Sequence, residues 1–201
     1  MADSHDTATP PRRRRSDARR SVDAILNAAR VVLGERPDAS MEDIAATAGV
    51  TRQTVYAHFP SRDALIAALI EAAAAEYLSA LDAAGLDTAP PAEALAQFLD
   101  AGWRFLRRNP LLLNPTAPLA PRPNRNALSE VVPPRLERLI QRGQGTGDFD
   151  ASLPAAWLTA AVIGLQHAAA AEVAAERLTT HEAAALCLKS TLRLCVGQAP
   201  R

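Results

Sequence analysis

The sequence predicts an all-α protein, and three observations support this fold class. Alanine, the strongest helix former, accounts for 44 of the 201 residues, whereas glycine accounts for only 9. Alternating runs of Val, Ile, Thr and Tyr, which would predict strands, are missing from the sequence. Apolar residues recur instead at helical spacing, as in Val22, Ile25, Leu26, Ala29 and Leu33. With 48% hydrophobic and 22% charged residues, the chain has enough apolar side chains for a core.

Caps, glycines and prolines predict about nine helices along the chain. The first begins near Ser16 or Asp17 and is ended by Gly34 and Pro37. Pro133 and Pro134 are expected to divide one helical stretch into two, and Gly143, Gly145 and Gly147 to form a loop after it. Residues 115–123 are proline-rich and expected to be irregular. The remaining helices are predicted after Ser40, at Arg52–His58, from Arg62 towards Ala84, at Pro91–Arg108, at about Leu153–Leu178, and from Thr179 to Gly197.

The charges are balanced overall but not along the chain. The formal net charge is +0, yet Arg12, Arg13, Arg14 and Arg15 form a basic run before the first predicted helix. We expect residues 1–16 to form a disordered basic arm, which fits a contact with nucleic acid. A solvated tail without a partner explains the same run.

The sequence offers little for catalysis, for a metal or for a cofactor. The two cysteines, Cys187 and Cys195, exclude a disulfide framework and fit small buried apolar positions. The four histidines show no metal-ligand spacing, and the glycines at 143–147 follow a helix rather than a strand. Residues 151–171 carry no formal charge, but polar residues interrupt them. We therefore expect a soluble, cytoplasmic protein without enzymatic activity.

Two short predicted helices joined by a turn at Gly49 indicate a helix-turn-helix unit. The second of them exposes unusual hydrogen-bonding capacity for its length, because five of its seven residues are polar. Base edges in the DNA major groove offer matching donors and acceptors. A short solvent-exposed helix is the alternative. The five residues are Arg52, Gln53, Thr54, Tyr56 and His58.

The run from Ser40 to Leu65 resembles the DNA-binding signature of the tetracycline-repressor (TetR) family. The segment Leu33–Ala39 departs from the family pattern, which usually has an aromatic residue and then a glycine before the second helix, whereas residues 34–38 here read Gly-Glu-Arg-Pro-Asp. The matching features, at the family's spacing, are Ile44 with Ala45, Ala48 with Gly49 and Val50, Val55 with Tyr56, His58 with Phe59, and Arg62 before Leu65.

The resemblance implies DNA contacts residue by residue. Arg52, Gln53 and Thr54 match positions that face bases, and arginine and glutamine can bind guanine and adenine bidentately. Tyr56 and His58 match positions that touch phosphate, and Arg62 matches the basic residue at the start of the next helix. For each, capping or packing is the alternative role. Ser40, Thr51 and Arg12–Arg15 complete the candidate set.

The resemblance also implies the domain organisation. Residues 17–62 would form the DNA-binding domain, and residues 63–201 a helical domain for effector binding and dimerisation. The last two helices are rich in small residues and would form a four-helix interface with a second copy, although an internal core explains the same pattern. Candidate ligand contacts, each also compatible with a core position, are Tyr77, Phe98, Trp103, Phe105, Trp157, Gln166 and His167.

Taken together, the sequence predicts a homodimeric transcription regulator that binds operator DNA and is released by a small molecule. His167 is the favoured polar ligand contact, because we expect it in a buried helix where it needs a partner. A helical ligand-binding protein or enzyme with an incidental helix-turn-helix, and a DNA-binding regulator without an effector, are the alternatives. The sequence does not identify the effector or the operator.

Overall fold

The computed structural model describes residues 11–113 and 125–196, and within these ranges the protein is all-α, as predicted. They contain eight α-helices and one short 3-10 helix, Pro110–Leu113, and no strand. The predicted irregular segment 115–123 lies entirely outside the described residues. The α-helices are α1 (Pro11–Glu35), α2 (Met41–Ala48), α3 (Arg52–His58), α4 (Arg62–Ala83), α5 (Pro91–Arg108), α6 (Arg125–Thr146), α7 (Ala155–Ala174) and α8 (Thr180–Val196).

The first helix begins earlier than expected. The sequence predicts a start near Ser16 or Asp17 and a disordered arm over residues 1–16, but α1 starts at Pro11. Proline suits the first position of a helix because its missing N–H is not needed there, and arginine is a good helix former. Residues 1–10 lie outside the described part of the chain.

The chain divides into two compact units between Leu69 and Ile70, a point within α4 rather than at its start. In the first unit, α2 packs against α1 and α3. Its core is apolar, and the residues that are completely buried in it come from all four helices. These residues are Ile25, Ala29, Leu33, Ile44, Val55 and Leu65.

In the second unit, α5 and α7 each pack against both α6 and α8. Phe98 on α5, Leu136 and Ile140 on α6, and Leu158 on α7 are completely buried in one apolar core. The guanidinium of Arg142 donates hydrogen bonds to the carbonyl oxygens of Leu86 (2.6 Å) and Ala89 (2.8 Å). These bonds fix the connection between α4 and α5 against α6.

The prediction of two helices around Pro133 and Pro134 was wrong, because α6 continues through both prolines. Each proline removes one N–H donor from the helix, but the bonds before and after the pair still form. Burial of Leu136, Leu139 and Ile140 on the inner face offsets this loss. One helix in place of two gives eight α-helices rather than nine in the described ranges.

The predicted glycine loop is also wrong in part, because Gly143 and Gly145 belong to α6. Only Gly147, with a φ of 81°, follows the helix in a left-handed conformation. Gly143 is where the ring of Phe149 packs against the helix. A Cβ on Gly143 would lie 2.6 Å from Cε2 and 2.7 Å from Cγ of Phe149, whereas a Cβ on Gly145 would meet nothing within 4 Å.

One further property of α4 concerns membranes. Among the described residues it is the single helix that is long and apolar enough to cross a bilayer, on length and composition alone. Core helices of soluble proteins pass the same test. Leu65, Ile66 and Leu69 of α4 are buried inside the protein.

Gly143 and Gly145, both in α6, make a matched pair for a stability measurement. We expect Gly143→Ala to lower the free energy of unfolding by about 1–3 kcal/mol, because the new methyl group overlaps the buried ring of Phe149. Gly145→Ala should raise it by at most about 0.5 kcal/mol, because alanine is the better helix former and has free space there, while position 145 lies in the last turn of α6. Urea unfolding followed by circular dichroism measures both, and equal effects would contradict the close approach at Gly143.

Candidate nucleic-acid interface

The start of α2 is fixed by a capping box between Ser40 and Asp43. Ser40 Oγ accepts the backbone N–H of Asp43 at 3.2 Å, and Asp43 Oδ2 accepts the backbone N–H of Ser40 at 2.8 Å. Hydrogen bonds from the Ser40 hydroxyl and from the Ser40 backbone N–H, together with the nearby charge of Arg36, hold the pKa of the Asp43 carboxyl below its ordinary value. The hydroxyl of Ser40 also donates to Asp43, so this candidate phosphate contact already has a capping role.

The turn between α2 and α3 has the geometry of a helix-turn-helix unit. Gly49 ends α2 with a φ of 68°, a left-handed conformation in which glycine carries no steric cost. Thr51 then caps α3 by accepting the backbone N–H of Thr54 at 3.1 Å. Two residues, Gly49 and Val50, therefore separate one helix from the cap of the next.

One side of α3 is buried and the other faces outward. Val55 is completely buried and Phe59, directly after the helix, is 7% exposed. Arg52, Gln53 and Tyr56 are exposed. The apolar residues fix the orientation of α3 in the first unit, and its outward face carries a guanidinium, an amide and a phenol.

Arg52 is oriented on this face by two neighbours. Its Nη1 lies 3.2 Å from Glu42 Oε1, and its guanidinium carbon lies 5.4 Å from the centre of the Tyr56 ring. Hydrogen bonding to Tyr56, followed by the charge of Glu42, raises the pKa of Arg52 above its ordinary value. An exposed ion pair of this kind is weak, so the guanidinium remains available to another acceptor. Glu42 was not among the residues predicted for the site.

Three other candidates are held by contacts within the protein. Thr54 is half-buried, and its hydroxyl lies 2.8 Å from that of Thr51. His58 is half-buried, with its ring centroid 6.4 Å from that of Phe59. Arg62 donates from Nε to the carbonyl oxygen of Ala39 at 3.3 Å, and from Nη2 to that of Pro37.

The contacts of Arg62 give it a structural role that the sequence did not reveal. Its guanidinium ties the start of α4 to the loop between α1 and α2, which has carbonyl groups that need donors. Arg12–Arg15 lie in the first turns of α1, but their side chains are outside the described part of the structure.

The second unit contains a cavity of about 410 Å³ beside the end of α5. Of the predicted ligand contacts, Tyr77 and Phe105 line it, and their rings stack with centroids 4.8 Å apart. Burial raises the pKa of Tyr77 to about 12, so its phenol is neutral at physiological pH. The sequence did not reveal the polar part of the lining, which consists of Glu76, Arg104, Arg107, Arg108 and Asn109.

The other predicted ligand contacts lie elsewhere in the second unit. Phe98 and Trp103 are buried in the core. Gln166 approaches Tyr77 across Gly102, where a Cβ would lie 2.6 Å from Gln166 Nε2 and 3.5 Å from Tyr77 Oη. Trp157 is 61% exposed, and His167 is exposed as well, so the expectation that His167 is buried and needs a partner was wrong.

Within residues 11–113 and 125–196, no three His, Cys, Asp or Glu side chains are grouped so that they could hold a metal ion. Cys187 and Cys195 are buried, and burial raises the pKa of the Cys195 thiol to about 11. A buried thiol of this kind is a weak nucleophile at neutral pH.

Comparison with known proteins extends the description. Residues 25–69 match the family model of bacterial regulatory proteins of the tetR family. The HTH-type transcriptional repressor LfrR of Mycolicibacterium smegmatis is 38% identical over 92 residues, which span 46% of this chain and 44% of that repressor. The match therefore covers less than half of the repressor's length.

Solved structures match nearly the whole chain. The TetR-like regulator LfrR from Mycobacterium smegmatis, in complex with proflavine, is 26% identical, with a TM-score of 0.66 over 90% of this chain and 99% of that chain. The regulatory protein TetR from Rhodobacter sphaeroides is 21% identical, with a TM-score of 0.71 over 88% and 99%, a likeness of fold. The helix-turn-helix geometry and these matches agree: residues 25–69 match the tetR family of bacterial regulatory proteins, and nearly the whole chain resembles the TetR-like regulator LfrR.

Proposed function

We propose that this protein is a cytoplasmic, homodimeric repressor that binds operator DNA through α3 and is released by a small molecule. The observation that carries the proposal is the outward face of α3, with exposed Arg52, Gln53 and Tyr56 on a helix that is capped and packed on its other side. A helix in a major groove needs such a polar face on a rigid support. The name of the relative LfrR, a transcriptional repressor, supports the same reading.

The contacts to DNA divide by side-chain chemistry. The amide of Gln53 and the guanidinium of Arg52 match base edges, which distinguish one sequence from another. The hydroxyl of Tyr56 matches a phosphate, which carries no sequence information. Ser40, Thr51, Thr54, His58 and Arg62 are bonded or packed within the unit, so we assign them mainly to the support of α3.

Dimerisation is proposed through the exposed faces of α7 and α8. On α7 the exposed face is dominated by small apolar residues, with Trp157, 61% exposed, at one end and the exposed His167 among the small residues. On α8, Leu186 is 48% exposed. Exposed apolar surface on one helix pair favours burial against a second copy. The small residues that would allow close approach are Ala156, Ala160, Gly164, Ala168 and Ala171.

The cavity in the second unit supports the effector part of the proposal. Its volume of about 410 Å³ falls in the range of small-molecule sites. The structure of LfrR named above holds proflavine, so a relative with the same fold binds a small molecule. α4 contributes residues to both units and is the element through which we propose that ligand binding changes DNA binding.

A gel shift with duplex DNA from the protein's own promoter region tests the proposal against its alternative. A repressor binds this DNA with a symmetric footprint and much more tightly than unrelated duplexes of equal length. A helical enzyme or carrier with an incidental helix-turn-helix would bind both DNAs equally weakly.

Substitutions of Gln53 and of Tyr56 are expected to change DNA binding in different ways. Gln53→Ala should weaken binding to the operator by about 1–3 kcal/mol and relax the base preference at one position of each half-site. Tyr56→Phe should weaken binding to all sequences alike, because only a phosphate contact is lost. Fluorescence anisotropy with the operator and with single-base variants measures both effects. A changed base preference in Tyr56→Phe would contradict this division.

The dimer surface is tested by placing a charge on it. We expect Ala160→Glu to convert the dimer into monomers, since it buries an unpaired carboxylate in an apolar interface, and to lower operator affinity at least tenfold. Ala92→Glu, at an exposed alanine of α5, adds the same side chain away from this surface and serves as the control. Sedimentation velocity measures the mass, and a dimer that survives Ala160→Glu would place the interface elsewhere.

A further inference from the structure

The lining of the cavity in the second unit has a definite charge. Arg104, Arg107 and Arg108 occupy positions i, i+3 and i+4 of α5, so they share one face of its last turns. All three line the cavity, and Glu76 is the single acidic residue among the lining residues. Positive charges in the lining therefore exceed negative charges by two.

The three arginines differ in how they are engaged. Arg104 forms an ion pair with Asp100, with 3.2 Å between Nη1 and Oδ2. Arg107 and Arg108 are exposed and have no ion pair with the residues that the structure describes. Guanidinium groups bind carboxylates through two parallel hydrogen bonds, so these two side chains are suited to an anionic group.

Part of the cavity lining is aromatic and apolar. The rings of Tyr77 and Phe105 are stacked at an interplanar angle of 26°, and the small side chains of Ala80 and Ala101 line the cavity beside them. A flat ring can pack against such a surface with large contact area and little loss of freedom. The volume of about 410 Å³ is sufficient for two fused rings.

Asn109 adds a hydrogen-bond acceptor at the end of α5. It lines the cavity, is only 5% exposed, and donates from Nδ2 to the carbonyl oxygen of Phe105 at 2.8 Å. Its Oδ1 is buried and has no hydrogen-bond partner within the described ranges. Because buried acceptors are normally satisfied, Oδ1 gains a bond from a ligand O–H or N–H group once the Asn109 side chain turns so that this atom faces the cavity.

We propose that this cavity binds a small aromatic carboxylate that also carries a hydroxyl or amino donor. The carboxylate binds Arg107 and Arg108, the ring packs against Tyr77 and Phe105, and the donor bonds Asn109 Oδ1. The inference deepens the proposed function, since it rests on the cavity being the effector site and names the class of effector.

Three probes that share one ring system and differ in charge test whether the cavity prefers an anionic ligand. Isothermal titration of the full-length protein compares 2-naphthoate, the neutral 2-naphthamide and the cationic 2-naphthylmethylamine. We expect the carboxylate to bind at least about tenfold more tightly than the amide, the amine to bind least, and the affinity of the carboxylate to fall with added salt. Equal affinities, a preference for the amine, or no binding of the carboxylate up to its solubility limit would overturn the proposal.

Substitutions in the lining locate the site. Arg107→Gln and Arg108→Gln should each weaken 2-naphthoate about three- to tenfold, because each loses a charged hydrogen-bond donor. Arg138→Gln, an equal charge change at an exposed position of α6 that is not among the lining residues, is the matched control and should change affinity less than twofold. An equal loss in all three variants would mean that charge acts only at long range and would overturn the assignment.

The donor is tested by comparing hydroxynaphthoates with their methyl ethers. At least one hydroxyl isomer should bind about threefold or more tightly than its ether, and Asn109→Ala should abolish that ratio. Both affinities in this ratio are measured with the same variant, so a general loss of stability would lower them together and leave the ratio unchanged. The unfolding midpoint of Asn109→Ala shows whether the variant is folded. An unchanged ratio in Asn109→Ala overturns the role of Asn109.

The failure of this inference and the failure of the proposed function are distinguishable. Titration of the protein alone reports the cavity, and anisotropy of labelled promoter DNA reports DNA binding and release. Carboxylate binding without DNA release supports the cavity assignment and contradicts its role as the effector site. DNA binding without any preference for carboxylates supports the proposed repressor function and overturns the proposed class of ligand.

Discussion

A seven-residue helix does not persist in water by its own hydrogen bonds, and the candidate DNA interface depends on how this protein supports one. α3 is held by the Thr51 cap at its start and by Val55 and Phe59 on its inner side. Because these supports use the cap and the inner face, the outward side chains of Arg52 and Gln53 are left without a packing role. Exposed polar groups on a fixed helix are the condition for reading DNA.

The same residue type has different roles in different places. Arg62 and Arg142 are part-buried, and each donates to two backbone carbonyl groups of a nearby connection, so they fix loops. Arg107 and Arg108 are exposed beside a cavity and, among the described residues, have no ion pair. The difference lies in whether folding places a backbone acceptor near the guanidinium.

Close packing in the second unit sets limits that composition does not show. Gly143 leaves space for the ring of Phe149, and Gly102 leaves space for the amide of Gln166 beside Tyr77. An alanine at either position would overlap a neighbouring side chain. These glycines serve contacts between helices rather than turns, and they explain why glycine in α5 and α6 does not end a helix.

The sequence by itself determined the all-α class, the capped pair of short helices and the likeness of residues 25–69 to the tetR family, because caps, periodicity and a local signature are encoded within a few neighbouring residues. Tertiary structure decided the rest. The passage of α6 through Pro133 and Pro134 depends on burial of its inner face, which local breakers do not reveal. The exposure of His167 and the gathering of Arg104, Arg107, Arg108 and Asn109 around one cavity depend on which helix faces meet. Contacts between residues distant in sequence fix those faces, and periodicity within a single helix cannot specify them.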